Sequence, residues 1–414
     1  MDPKVGVRSH VIWIASLLAF TLAAATGSFY RFGVAYSFTG GLDFMNVRHA
    51  HSHLMYFAWV TPALFLLIAR RTEATTGVRA PRLAYASAGM ALALGYASYI
   101  PFLVYGYGTV TIGPFEFPPA VIASGLNMLA WYGFILAYVR QTRGLHSTRT
   151  IVLFDAALLF LVLASAGAWA ISLSVPLGVR SMALLSGFTH LFLGFFSEGW
   201  LLLAVLGIAI SWQAAPRMSD RRFQVALVLV TAGIAGSFLL GMPRNYLSET
   251  ARLLARIASA FMAVGLVAFA WEVLSMRKRF WAVPGVFLAL KAVGFVIVVM
   301  TPTIWWSQFV AERILYFHIH LLGFATLGIM AAAGAAIAER AGLQLAFMNV
   351  AVVVVVLSLV PMTIFWPAAL RGAWAVPAMA WASTLPVIVG FWMMVFQRPS
   401  IERSTEVRAD FENS

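Results

Sequence analysis

Residues 50–65 read AHSHLMYFAWVTPALF, a histidine-rich entrance followed by a long apolar run. Three imidazoles, those of His49, His51 and His53, stand where the run begins. About 20 predominantly apolar residues suffice to cross a bilayer as a helix, and polar side chains within such a segment are costly and usually functional. The stretch therefore predicts a membrane-spanning helix with functional side chains at its mouth.

The rest of the chain has the same apolar character. Of its 414 residues, 62% are hydrophobic and only 10% are charged, and the mean hydropathy is +0.88. A soluble protein of this size could not bury that much apolar surface, so the composition predicts a polytopic membrane protein. Runs of about 20 apolar residues predict twelve spans, near 10–30, 48–70, 82–104, 118–139, 150–174, 182–212, 222–242, 252–275, 280–301, 313–338, 344–366 and 374–396.

Loop charges predict the topology. Arginine and lysine are concentrated in the loops after spans 2, 4, 6 and 8, whereas residues 105–118, between spans 3 and 4, contain neither. The positive-inside rule then places both termini in the cytoplasm, although the loop with Arg244, Arg252 and Arg256 departs from it. We expect one twelve-helix, all-α domain over 1–397 in the inner (cytoplasmic) membrane, followed by a polar cytoplasmic tail, 398–414.

Net charge and cysteine content limit the range of possible functions. The formal charge of +13 is explained by basic loops that set topology rather than by nucleic-acid binding. The chain has no cysteine, which excludes disulfides, thiolate haem ligands, covalent c-type haem attachment and a thiolate-bridged copper site. Any haem would be held without a covalent link, through histidine.

Six of the eight histidines fall in three of the predicted spans. At 1.5 Å per residue, those of spans 2, 6 and 10 lie within about 12 Å of the same membrane surface. Neutral imidazole is the commonest metal ligand and the usual axial ligand of b-type haem. A lone histidine at a helix mouth can instead make an interfacial hydrogen bond, the interpretation we favour for His49. The six are His49, His51, His53, His190, His318 and His320.

The spacing within span 10 adds a geometric prediction. His318 and His320 are about 200° apart around an α-helix, so one helix could ligate two irons on opposite flanks. The string HIHLLGFAT at His318 also echoes HSHLMYFAW at His51, and both open a span.

These residues resemble the main subunit of the haem–copper oxidase superfamily, which includes nitric-oxide reductases. The second-span pattern of that family matches Ala50, His51, Met55, Phe57 and Pro62, and its tenth-span H-x-H matches His318 and His320. The resemblance implies a twelve-span subunit I-like bundle with two b-type haems. His51 and His320 would ligate the low-spin haem, and His318 the second, high-spin haem.

The resemblance also implies a site around the second haem. His190 would ligate a non-haem metal, and Glu198 resembles an acidic residue in the same span of nitric-oxide reductases, so His190 and Glu198 are the candidate catalytic residues. Arg371 would face the haem propionates, and His53 would lie beside a ligand or a propionate. The family further implies a cytochrome c or quinol donor and accessory membrane subunits.

The sequence departs from the family where the second metal would bind. Span 7 contains no histidine, whereas active oxidases have a consecutive pair there, and Gly194 stands where related chains carry a tyrosine or a metal-binding glutamate. A single histidine is a weak copper or non-haem iron site, because tight sites need three or more ligands. The departure leaves the haem ligands untouched.

Two further charged residues lie inside predicted spans, Glu198 in span 6 and Lys291 in span 9. They are costly unless paired or hydrated, so they form either an ion pair or a proton path with Asp155 at its entrance.

The sequence is compatible with three functions. The first is an oxidoreductase, a terminal oxidase or nitric-oxide reductase relative that passes electrons through two haems to dioxygen or nitric oxide. The second is a non-enzymatic haem protein for sensing, electron transfer or assembly. The third is a transporter using Lys291 and Glu198.

Overall fold

The computed structural model describes residues 3–174, 177–213, 215–276, 278–301, 305–337 and 341–396. The predicted tail at 398–414 lies outside these residues. Within the described part, twelve helices are long and apolar enough to cross a membrane, which confirms an all-α, multi-pass architecture. In chain order the spans are Arg8–Tyr36, Phe44–Thr76, Arg82–Tyr105, Pro119–Thr142, Arg149–Ser174, Met182–Ile210, Asp220–Gly241, Glu249–Ser275, Arg279–Met300, Val310–Gly334, Gly342–Met362 and Ala375–Phe396.

The chain divides into two compact units. The first contains Met1–Arg143, Ile329–Ala351 and Val376–Ser414, and the second contains Gly144–Gly328 and Val352–Ala375. Spans 1 to 4 therefore belong to the first unit and spans 5 to 9 to the second. The single domain over 1–397 and the cytoplasmic termini stay predictions.

The three histidine-bearing spans are the most enclosed. The most apolar window of spans 2 and 6 is 78% buried and that of span 10 is 67% buried, against at most 56% for the other nine. A helix that is apolar on all sides is expected in the interior of a bundle. The histidine-bearing helices thus contain the most enclosed windows of the twelve, although His320 is the one fully buried histidine of the six.

The same three spans change their winding beside the histidines. The π-helical segments of the described residues are Leu54–Val60, Phe195–Leu201 and His318–Thr326, in spans 2, 6 and 10 respectively. A π-helical turn uses i→i+5 hydrogen bonds, is rare, and frequently occurs at functional sites. Each segment begins within five residues of a histidine.

Span 2 begins earlier than its apolar run predicts. The Asp43 carboxylate caps the helix by accepting hydrogen bonds from the backbone N–H groups of Met45 and Asn46, so the helix starts at Phe44. His51 is then seven residues inside its helix, compared with eight for His190 and His318 in theirs. At 1.5 Å per residue these positions are roughly 10–12 Å from the start of each helix.

Residues between spans 3 and 4, expected as a plain loop, form a two-stranded antiparallel hairpin. Its strands are β1 (Val110–Ile112) and β2 (Phe115–Phe117), with Ile112 opposite Phe115. Gly113 opens the two-residue turn with φ of +60°, a conformation that glycine adopts without steric cost.

Candidate functional site

In the first unit, His51 is held by span 1. Its Nδ1 lies 2.7 Å from the Ala23 carbonyl oxygen. Because a carbonyl only accepts hydrogen bonds, Nδ1 carries the proton, and a neutral ring then has its lone pair on Nε2. Such a hydrogen bond fixes the tautomer and orientation of metal-ligating histidines. His51 is therefore oriented as an Nε2 ligand would be.

The neighbouring turn of span 1 is shaped around the His51 ring. A Cβ atom on Gly27 would lie 2.9 Å from the ring carbon Cε1, so only glycine fits against the imidazole. Arg31 follows four residues later on the same face of span 1, one turn further along. It is half-buried and forms no ion pair with an acidic residue of the described chain.

Both ring nitrogens of His53 lie within hydrogen-bond distance of a hydroxyl group. Its Nε2 is 3.1 Å from the Tyr107 hydroxyl, its Nδ1 is 3.5 Å from the Ser124 hydroxyl, and its ring stacks on Phe102 at 3.7 Å. Tyr107 also contacts the ring of His49 edge-on at 4.8 Å. His53 thus supports the loop between spans 3 and 4 rather than presenting a lone pair to a metal.

In the second unit, three spans meet in a buried charged triad. Lys291 Nζ lies 2.5 Å from Glu198 Oε2 and donates a hydrogen bond to the Tyr316 hydroxyl, which in turn donates to Glu198 Oε1 at 2.8 Å. Lys291 is fully buried, and Glu198 and Tyr316 are each 7% exposed. Of the two alternatives for Glu198 and Lys291, the structure shows the ion pair. Tyr316, which the sequence analysis missed, completes it.

The triad is continuous with the surroundings of His320. In the π-helical segment of span 6, the backbone carbonyl of Ser197, the residue before Glu198, accepts a hydrogen bond of 2.8 Å from His320 Nε2. The lone pair of a neutral His320 is then on Nδ1, a buried atom without a hydrogen-bond partner. His320 would have to rotate its ring, or use Nδ1, to ligate iron.

His318 points to another side of the same helix. Its Nδ1 bonds the Ile314 carbonyl at 2.8 Å, one turn earlier, so a neutral His318 has its lone pair on Nε2, as His51 does. The different partners of His318 and His320 agree with the predicted divergence of the two rings.

The neighbourhood of His190 does not fit a copper or non-haem iron. Phe238 fills the space beside Gly194, where a Cβ atom would lie 2.5 Å from the phenylalanine Cβ. The His190 ring packs directly on Gly241, leaving no room there for a side chain. His190 Nδ1 is buried without a hydrogen-bond partner. One imidazole is too few donors for a tight metal site.

The described residues also contain no group of three or more histidine, aspartate or glutamate side chains arranged to hold a metal ion. A haem iron needs only one or two axial ligands. The donor chemistry of His51 and His318 therefore fits haem, whereas the surroundings of His190 do not fit a second metal.

Arg371 lies in an exposed turn. Its guanidinium donates to the Thr363 carbonyl at 3.3 Å and approaches the Trp366 carbonyl at 3.5 Å. The loop is fastened separately by Glu312, which accepts the N–H of Ile364 at 2.7 Å. Arg371 is thus held by backbone oxygens, and its expected contact with haem propionates stays a prediction.

Comparison with protein-family models finds no family that matches this chain, and comparison with curated proteins finds no relative. The resemblance to haem–copper oxidases therefore rests on the motifs at His51, His318 and His320. Sequence reasoning missed Ala23, Gly27 and Tyr316. The sole sequence signal was for Tyr316, a polar residue two positions before His318.

Proposed function

We propose that this chain is a multi-pass membrane haem protein related to the main subunit of haem–copper oxidases. Two b-type haems would be held, one with His51 as a ligand and one with His318 as a ligand. The observation that carries the proposal is the matched tautomer of His51 and His318. Each histidine lies in an apolar span and donates Nδ1–H to a backbone carbonyl, which places the lone pair of a neutral ring on Nε2.

The haems supply one-electron chemistry and a binding position for a diatomic ligand. The chain supplies orientation and an apolar environment. Ala23 and Ile314 fix the imidazoles, and Gly27 lets the backbone of span 1 approach the His51 ring. In this proposal the chain works in the inner (cytoplasmic) membrane and receives electrons from a cytochrome c or quinol, with accessory membrane subunits.

The surroundings of His190 favour electron transfer or ligand binding over reduction of dioxygen. Cleaving an O–O bond in this superfamily relies on a second metal next to the haem, and around His190 the neighbouring groups are Gly241, packed on its ring, and Phe238, packed on Gly194, neither of which is a metal ligand. Reduction or binding of nitric oxide at the His318 haem remains compatible with this. Glu198 and His190 would then act as polar neighbours and not as metal ligands.

A transporter is the second candidate, because a buried Lys291–Glu198 pair is the kind of group that binds ions or protons inside membranes. The contacts within the triad argue against a transporter. The Lys291 ammonium lies 2.5 Å from the Glu198 carboxylate, and the Tyr316 hydroxyl is hydrogen-bonded to both residues. A transported ion would have to displace that ion pair.

The experiment is to purify the chain from its membrane and to record oxidised and reduced absorption spectra with iron and copper analysis. We expect two irons per chain, no copper, and one haem that binds carbon monoxide. His51→Ala should remove the six-coordinate signal, and His318→Ala the carbon-monoxide-binding haem. His146→Ala, an exposed loop histidine, is the matched control and should retain both. A preparation without iron would overturn the proposal and favour the transporter.

A further inference from the structure

The hairpin between spans 3 and 4 has one wholly apolar face. Residues directly opposite each other in an antiparallel pair share a face, as do residues two apart in a strand. The register pairs Val110 with Phe117 and Ile112 with Phe115, so all four side chains lie on one face. Thr111, paired with Glu116, lies on the other.

The tip of this apolar face is open. Phe115 is 73% exposed and Ile112 is 60% exposed, whereas Val110 and Phe117, nearer the helices, are half-buried. An isolated two-stranded hairpin is marginally stable in water, and it usually needs something packed on its apolar face. The described chain leaves the tip of that face uncovered.

Short tethers keep the hairpin at the membrane surface. Span 3 ends at Tyr105 and span 4 begins at Pro119. Phe117 is only two residues from that start, which at 3.3–3.6 Å per extended residue limits their separation to about 7 Å. The strand pair Val110–Phe117 therefore lies within about 7 Å of the start of span 4.

The exposed apolar surface of the two neighbouring spans runs up to the hairpin. Near the end of span 3, Ile100 is 57% and Val104 is 51% exposed, and near the start of span 4, Ile122 is 46% exposed. In a membrane these side chains face lipid. The segment at 105–118 also lacks lysine and arginine, so no ammonium or guanidinium holds it away from the apolar layer.

We propose that this hairpin is a lipid-binding element whose apolar face, Val110, Ile112, Phe115 and Phe117, lies in the boundary between headgroups and acyl chains. Thr111 and Glu116 face water. Apolar and aromatic side chains beside a polar face are the composition of segments that lie in the membrane interface. The lipid completes the packing that the hairpin lacks within the chain.

Lipid contact would also steady the surroundings of His53. The same connection carries Tyr107, three residues before β1, and the Tyr107 hydroxyl is 3.1 Å from His53 Nε2. A hairpin held in the interface fixes the position of Tyr107 over the histidine. The haem proposal is not needed for this inference, since it rests on register, exposure and tether length.

The absence of cysteine allows a direct test, because a single introduced cysteine takes a nitroxide label without background. The label is placed by Phe115→Cys and, separately, Ile112→Cys, with Thr111→Cys and Glu116→Cys as matched controls on the opposite face. The protein is reconstituted in nanodiscs of phosphatidylcholine and phosphatidylglycerol. Collision with dissolved oxygen, which concentrates in lipid, is compared with collision with a water-soluble nickel chelate.

We expect the oxygen-to-nickel accessibility ratio at positions 112 and 115 to exceed that at 111 and 116 by several-fold. Equal ratios on both faces would overturn the proposal, since the hairpin would then stand in water. Shielding of positions 112 and 115 from both reagents would also overturn it and would indicate a protein partner. Two labelled positions on each face guard against one replacement disturbing the hairpin.

Discussion

Replacing Lys291 by methionine is the sharpest test of the buried triad. The Lys291–Glu198 ion pair spans 2.5 Å, and the side chains are 0% and 9% exposed. Water therefore neither screens the pair nor replaces a lost partner. In Lys291→Met the Glu198 carboxylate stays buried with one donor, the Tyr316 hydroxyl. Breaking a buried pair in this way typically costs about 3–5 kcal/mol.

Protonation sets an upper limit to the cost. A glutamate with the ordinary pKa of about 4.3 in the unfolded chain can be protonated at pH 7 for about 3.7 kcal/mol, at 1.36 kcal/mol per pH unit. The folded variant would take up this proton and the unfolded variant would not, so its stability rises as the pH falls. We expect a loss of about 3–4 kcal/mol at pH 7 and of only about 1 kcal/mol at pH 5.

The assay is equilibrium unfolding in mixed micelles of a mild detergent and dodecyl sulfate, followed by circular dichroism at both pH values. The double variant Lys291→Met with Glu198→Gln removes both charges and should be more stable than Lys291→Met alone. Glu249→Gln breaks the exposed Arg252–Glu249 pair and should cost less than about 1 kcal/mol. A Lys291→Met loss that is below about 1 kcal/mol at pH 7, or equal at both pH values, would refute the reasoning.

Three other substitutions test particular contacts. Under the haem proposal, Gly27→Val should lower the haem content of the purified chain by displacing the imidazole packed on that glycine, whereas Gly89→Val, in a helix position with nothing within 4 Å, should not. Glu272→Ala removes a buried carboxylate that accepts two backbone N–H groups of the loop after span 6; it should cost about 2–3 kcal/mol in the unfolding assay. Gly194→Glu should reduce accumulation of the folded protein, as measured by size-exclusion chromatography, because its Cβ atom would lie 2.5 Å from the Phe238 Cβ atom. Unchanged accumulation of Gly194→Glu would show that the space is not closed.

The spans could be predicted from sequence because bilayer thickness demands a length of apolar chain that few other structures need. The first and last residues of a span were harder to predict where a polar residue caps the helix. Asp43 extends span 2 four residues beyond its predicted start by capping the helix, although the added residues, 44–47, include the polar Asn46. A hydropathy pattern predicts a loop at those residues, whereas the Asp43 cap allows them to form the first turn of the helix.

Of the candidate site, the sequence could predict only those residues whose side chains are rare in apolar spans. Histidines and charges stand out in an apolar sequence, and so His51, His318, Glu198 and Lys291 could be selected. The groups that orient them could not, because Ala23 and Ile314 act through backbone carbonyls, which every residue has. Tyr316 joins the ion pair through its hydroxyl, and a tyrosine in a membrane span usually reads as an interfacial residue.

The hydrogen bonds beside the three π-helical segments bear on which histidines could ligate haem as the family resemblance implies. All three lie on the histidine spans, and in span 6 the π-helical winding presents the Ser197 carbonyl to His320. That hydrogen bond occupies Nε2 of His320, so ligation of iron by His320 would need Nδ1 or a rotated ring. His51 and His318 differ from His320 in this respect, because their carbonyl partners take Nδ1, and a neutral ring then has its lone pair on Nε2.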